Sequence, residues 1–99
     1  MNKQIKIKYY QDPGHGWFAV KRDLLIHLGV ERYVSQYSHT RGKTAYLEED
    51  CDASLLFKAL QDRGLRYEIV DCFTEKSSPI RSYDRYNPIS TINFSFVEI

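Results

Sequence analysis

The N-terminal segment alternates apolar and basic side chains residue by residue. Ile5, Ile7 and Tyr9 fall at every second position, with Lys6 and Lys8 between them. A period of two is typical of a β-strand, because successive side chains point to opposite faces of a sheet. The chain must therefore build a sheet with one buried face and one face in water, and the rest of the sequence has to cover the buried face.

Turn signals mark the further strands. Residues 12–16 contain one proline and two glycines, which favour a turn and predict a hairpin over residues 4–20. Arg41-Gly42 predicts a second, tight turn, with glycine supplying a positive φ. The remaining predicted strands cover residues 35–40, 43–48, 65–73 and 92–97, a break falls at residues 77–79, and residues 80–86 are either an extended segment or a loop.

Two segments place apolar residues at helical spacing. The first covers about residues 21–28 and ends at Gly29, and the second covers about residues 53–63 and ends at Gly64. Asp52 stands where an N-cap is expected, with its carboxylate accepting from the first helical N–H groups. The strands and helices together predict an α+β fold, a mainly antiparallel sheet with two helices on one face, in one 99-residue domain.

The charges of the chain nearly cancel, with 14 Lys and Arg against 13 Asp and Glu, which excludes a polybasic arm and an acidic tail. This near-neutrality hides an asymmetry along the chain. Residues 1–44 carry eight basic and three acidic side chains, whereas residues 45–99 carry six and ten. Either the halves interleave and their charges mix, or they form separate charged faces that steer a partner.

Cysteine usage and hydropathy indicate the compartment. Cys51 and Cys72 are the only thiols, and they form neither a disulfide framework nor a zinc-site spacing. No apolar run approaches the roughly 18–20 residues of a membrane-spanning helix, and because Met1 is followed directly by the alternating segment we expect no signal peptide. We expect a reducing cytoplasm, no membrane, no cofactor and no metal.

The first candidate site is the loop at residues 12–17, in which His15 lies between two glycines and next to Trp17. An exposed histidine of this kind could act as a general base or as a metal ligand. The alternative interpretation is that the glycines serve only the turn and that His15 packs against Trp17.

The second candidate is the acidic segment at residues 48–52, which has four carboxylates in five residues. It could hold a divalent cation or form an acidic decoy surface, or its charges could simply be satisfied at a helix N-terminus. Cys51 lies just before that helix, which predicts a lowered thiol pKa, and His39 is a candidate partner for it. The surrounding residues match no signature of a cysteine nucleophile.

The third candidate is the segment at residues 79–86, where Arg81 and Arg85 alternate with Tyr83 and Tyr86. Arginine beside tyrosine suits base stacking and phosphate contact, and it equally suits a protein interface. The alternative is that the tyrosines are strand residues with their rings half in the core.

Four strings carry a resemblance: DPGHGW at residues 12–17, Tyr37-Ser38 with Arg41-Gly42, AYLEEDCDA at residues 45–53, and IRSY at residues 80–83. In this pattern, over about residues 8–86, the chain resembles short uncharacterised proteins encoded by phages and plasmids. The resemblance implies a bacterial or phage-infected cytoplasm and a mobile-element setting, in which small accessory proteins bind and block host machinery, including defence systems. It carries no chemistry to transfer, and the tail from Asn87 lies outside it.

The favoured hypothesis is a non-enzymatic interaction protein of phage or mobile-element type that binds, and could inhibit, a host protein. The alternatives are a nucleic-acid-binding module and a small hydrolase or metal-dependent enzyme centred on His15 and the acidic segment. The predicted partner-binding residues are His15, Trp17, Tyr37, Arg41, Glu48, Glu49, Asp50, Arg81, Tyr83, Arg85 and Tyr86. The basic residues of the nucleic-acid alternative are Lys3, Lys6, Lys8, Arg41, Lys43, Arg81 and Arg85.

Overall fold

The computed structural model describes residues 4–88, and the strand predicted over residues 92–97 lies outside them. The strands are β1 (Ile5–Gln11), β2 (Gly16–Lys21), β3 (His39–Arg41), β4 (Thr44–Glu48), β5 (Tyr67–Phe73) and β6 (Asp84–Arg85), and the helices are α1 (Arg22–His27) and α2 (Ala53–Asp62). Short 3₁₀ helices cover Glu31–Tyr33 and Pro79–Ser82. Within this part of the chain, no helix has the length and apolar composition needed to cross a membrane.

The strands form one sheet in the order β5-β1-β2-β4-β3-β6. All neighbouring pairs are antiparallel except β1 and β5, which run parallel with Ile5 opposite Tyr67 and Gln11 opposite Phe73. The α+β prediction, with a mainly antiparallel sheet, is confirmed. Residues 80–86 were predicted to be either an extended segment or a loop. They combine the end of a 3₁₀ helix with the two-residue strand β6.

Both helices pack on the same face of the sheet. Leu25 of α1 and Leu56 and Leu60 of α2 belong to one buried cluster. The strand residues in that cluster are Ile7, Val20, Ala45 and Leu47, which all point to one side of the sheet. Burying such aliphatic side chains supplies the main free energy of folding, about 1.5–3 kcal/mol for each. We call this side the helix face and the opposite side the open face.

The capping residues predicted for the two helices behave only partly as expected. Gly29 and Gly64 adopt φ values of +76° and +66° just after the two helices, as their predicted capping role requires. Asp52 is the N-cap residue of α2, as predicted, but its side chain makes no capping hydrogen bond, so the expectation that its carboxylate accepts from the first helical N–H groups is wrong. Its carboxylate instead accepts from three donors, the Ser35 N–H and the hydroxyls of Ser35 and Ser38, in the segment that leads into β3.

Tyr86 belongs to the core and not to a binding surface. Its side chain is 1% exposed, its hydroxyl donates to Glu31 Oε2 at 2.7 Å, and the Arg22 guanidinium lies 4.5 Å from its ring centre. Burial raises the pKa of this hydroxyl well above its ordinary value. Its predicted role in partner binding is therefore corrected, because the ring is enclosed and the hydroxyl is already bonded.

Candidate binding face

The open face carries most of the positive charge of the described strands. Strand alternation and register place one row of side chains across five strands, from Lys8 through Ala19, Tyr46 and His39 to Arg85. The charged strand residues on this face are Lys6, Lys8, Lys21, Arg41 and Arg85, against Glu48 and Glu68. The helix face of the same strands carries Asp71 and Asp84 and no basic residue. Charge is thus separated by face of the sheet, and not simply by half of the chain.

Residues 74–83, which we call the crossing segment, connect β5 at one edge of the sheet to β6 at the other. The Thr74 N–H donates to the carbonyl of Gln11 at 2.8 Å, where β1 ends. Ile80 is 3% exposed, and the Tyr83 ring centre lies 5.2 Å from that of Tyr46 on the open face. The crossing segment therefore packs against the open face and covers part of its surface.

The carboxylate of Asp12 fixes the crossing segment to the loop between β1 and β2. It accepts hydrogen bonds from the backbone N–H groups of Gly14, His15 and Ser78 at 3.0, 2.9 and 2.8 Å. The Arg81 guanidinium donates to both of its oxygens, through Nε at 2.6 Å and Nη2 at 2.8 Å. The paired Arg81, followed by these backbone donors, holds the pKa of the Asp12 carboxyl well below its usual range.

A cavity of about 230 Å³, which we call the cationic pocket, is lined by His15, Trp17, His39, Arg81 and Arg85. The indole of Trp17 is 2% exposed, and the Arg81 guanidinium carbon lies 5.7 Å from its ring centre. His15 and His39 contact the same indole, with ring centres at 5.9 and 6.3 Å. The indole of Trp17 therefore forms the floor of the pocket, and two guanidinium groups and two imidazoles surround it.

Each histidine of the cationic pocket has its Nδ1 atom close to an acceptor oxygen of the protein. Nδ1 of His39 lies 3.0 Å from the carbonyl oxygen of Tyr83, to which it can donate only as an N–H. Nδ1 of the half-exposed His15 lies 3.5 Å from Oε2 of Glu48. In both residues this leaves Nε2 as the nitrogen that can meet a ligand, as an acceptor in the neutral imidazole and as a donor only in the imidazolium. His15 packs against Trp17, as the alternative interpretation held, and also has a carboxylate neighbour.

A second cavity, of about 330 Å³, lies on the open face and is lined in part by three tyrosines, Tyr10, Tyr46 and Tyr83, with Cys72 and Ile80 beside them. We call it the tyrosine cleft. The ring of Tyr46 lies 6.2 Å from that of Tyr10 and 5.2 Å from that of Tyr83, and burial raises its pKa. The cleft suits a planar ring, because aromatic side chains at such distances stack or meet edge to face.

The acidic segment is mostly used inside the protein. Glu48 is 8% exposed and accepts from the Asp50 N–H at 2.7 Å, while Asp52 is 4% exposed and bonded to two serines. Glu49 and Asp50 are the exposed acidic residues of this segment, and the Glu49 carboxylate is hydrogen-bonded to the Tyr9 side chain. Within residues 4–88, His, Cys, Asp and Glu side chains form no group of three that could hold a metal ion.

Cys51 differs from its predicted state. Desolvation raises the pKa of its thiol, and the neighbouring carboxylates of Glu48 and Asp52 raise it further. The positive end of α2 was expected to lower this pKa, and that prediction is wrong because desolvation, together with the surrounding negative charges, outweighs it. His39 contacts Tyr83 and Trp17, so the predicted pairing with Cys51 is not formed either.

The open face and its rim unite most of the predicted partner-binding residues: His15, Trp17, Arg41, Glu48, Arg81, Tyr83 and Arg85. Tyr37 is 67% exposed beside Gln36, whose carbonyl accepts from Arg85. Glu49 and Asp50 lie on the turn after β4. The prediction missed Tyr10, Tyr46 and His39 as members of this surface, although the alternation of β1 already placed Tyr10 on its wet face.

Among known proteins, no family model, no curated protein and no solved structure matches this chain.

Proposed function

We propose that this protein is a non-enzymatic binding protein that holds single-stranded nucleic acid on its open face. The observation that carries the proposal is the separation of charge between the two faces of the sheet, with five basic strand residues and two acidic ones on the open face. A polyanion gains affinity from such a face by releasing counterions.

The tyrosines favour a single strand over a duplex. Unpaired bases stack on aromatic side chains that are presented by a sheet, whereas a duplex is usually contacted by a helix in its major groove. Tyr10, Tyr46 and Tyr83 lie on the same face as Lys8, and the Arg41 guanidinium lies 4.9 Å from the ring centre of Tyr83. Both α-helices pack against the opposite face through Leu25, Leu56 and Leu60.

Fluorescence anisotropy with labelled oligonucleotides of about 20 nucleotides tests this proposal. We expect binding that weakens steeply between about 50 and 200 mM salt. The double variant Lys8→Glu, Lys21→Glu should lose at least about tenfold in affinity and show a shallower salt dependence, because two phosphate contacts become repulsive.

The matched control is the double variant Arg32→Glu, Lys58→Glu, which changes net charge equally at exposed positions away from the open face. Its affinity should remain within about twofold of the wild type, since charges beyond a Debye length are screened. Absence of binding at low salt, or equal losses in both double variants, would contradict the proposal.

A host protein is the second candidate partner, and the exposed Tyr37 favours it. Tyrosine and arginine dominate protein interface hot spots, and the exposed Tyr37 follows Gln36, whose carbonyl accepts from Arg85. Affinity capture from nuclease-treated host lysate should then retain a partner that Tyr37→Ala loses and the Lys8, Lys21 double variant keeps. A partner that is released by nuclease, or one that Tyr37→Ala retains, would count against this candidate.

A further inference from the structure

Four nitrogen-bearing side chains from four separate segments converge on the cationic pocket. His15 comes from the loop after β1, His39 from β3, Arg81 from the crossing segment and Arg85 from β6. Each of these side chains has at least one ring or guanidinium nitrogen besides those that are hydrogen-bonded or paired within the described residues. Side chains so distant in sequence form one cavity only because the crossing segment returns over the face.

Arg81 is oriented before any ligand arrives. Asp12 occupies the Nε and Nη2 edge of its guanidinium, and the group lies over the indole of Trp17. The remaining Nη1 edge is therefore the one that can donate to a ligand. An arginine fixed in this way loses little side-chain entropy on binding, which is how preorganised sites gain affinity.

Charges of both signs face the pocket. Arg81 and Arg85 are positive, Asp12 compensates Arg81, and Glu48 lies 3.5 Å from His15. Arg85 donates through Nη1 to the Gln36 carbonyl at 2.9 Å, which anchors it without neutralising its charge. The guanidinium nitrogens that Asp12 and Gln36 leave free remain as donors, and the two imidazoles add Nε2 donors in their imidazolium form, so the pocket suits a small oxyanion with several acceptor oxygens.

We propose that the cationic pocket binds the terminal phosphate of a nucleic acid strand, an inference that rests on the proposed function. A terminal phosphate has three non-bridging oxygens, which match the free edges of two guanidinium groups flanked by two imidazoles better than the two non-bridging oxygens of a phosphodiester. A carboxylate also offers only two acceptor oxygens. The adjacent tyrosine cleft, which shares the crossing segment as a wall, is positioned to receive the terminal base.

Oligonucleotides of one sequence that end in a 5′-phosphate, a 3′-phosphate or only hydroxyl groups test this inference by anisotropy. We expect one terminal phosphate to tighten binding by about tenfold, a gain typical of several charge-assisted hydrogen bonds. Arg85→Gln should abolish that preference and weaken binding of all three strands by one common factor, because Arg85 also belongs to the basic residues of the open face. Arg32→Gln removes the same charge at an exposed position away from the pocket and should keep the preference.

A second measurement separates this inference from the proposed function. In an NMR titration, a nucleoside monophosphate should shift the Trp17 indole and His15 signals saturably, and the nucleoside without phosphate should not. Strand binding with no end preference and no such shifts overturns the inference and leaves the proposed function standing. Pocket shifts without any strand binding support the phosphate site and overturn the proposed function.

Discussion

Replacement of Asp12 by asparagine is expected to lower the thermal unfolding midpoint by about 10 °C or more. The carboxylate accepts five hydrogen bonds, from three backbone N–H groups and two guanidinium nitrogens. An asparagine side chain turns one of the two acceptors into an NH₂ donor, which then faces other donors in a buried place. Circular dichroism during heating measures the effect.

The effect of Asp12→Asn should depend on pH in a defined direction. The pKa of Asp12 is lowered in the folded protein, so its contribution to stability is complete above the unfolded value of about 4 and is lost as the pH falls below it. The difference between wild type and variant should be constant from about pH 5 to 8 and shrink below about pH 4. Asp71→Asn, at an exposed position of β5, is the control. Equal midpoints for the two variants would refute the role of Asp12.

Replacement of Asp52 by alanine is expected to lower the free energy of unfolding by about 2–4 kcal/mol. Its carboxylate accepts from the Ser35 N–H and hydroxyl and from the Ser38 hydroxyl. The Ser38 hydroxyl also accepts from the Glu48 N–H at 3.0 Å, so this group joins the segment before β3 to the end of β4. Alanine leaves three donors without an acceptor. Urea denaturation at neutral pH measures the change.

The control for Asp52 lies two residues earlier in the same turn. Asp50 is exposed, and Asp50→Ala should change the free energy of unfolding by no more than about 0.5 kcal/mol. Ser38→Ala removes one of the three donors and breaks the relay to Glu48, so its loss should fall between the two. If Asp52→Ala were as stable as Asp50→Ala, the carboxylate would not hold these segments together.

Local elements of the fold were predictable because their signals are local. The alternation of β1, the turn residues of both hairpins and the glycines after α1 and α2 act within a few residues of one another. The parallel pairing of β1 with β5 has no such signal, because it joins segments about 60 residues apart.

The candidate site was predictable in its members but not in its arrangement. His15, Arg81 and Arg85 stood out as chemistry-bearing residues, yet only the crossing segment brings them together. Asp12, which organises them, looked like an ordinary turn residue, and its partner Arg81 is 69 residues away. At Asp52 the capping rule failed because donors from Ser35 and Ser38 compete with the helix N–H groups for the same carboxylate.

The position of β1 between β2 and β5 has a consequence for how the chain folds during synthesis. The two hairpins and α2 can form as soon as their own residues leave the ribosome, since their contacts are local. The outer edge of β1 stays unpaired until Tyr67–Phe73 has emerged. A nascent chain that pauses before that point exposes an unpaired edge next to its main apolar cluster, which is the state most open to aggregation.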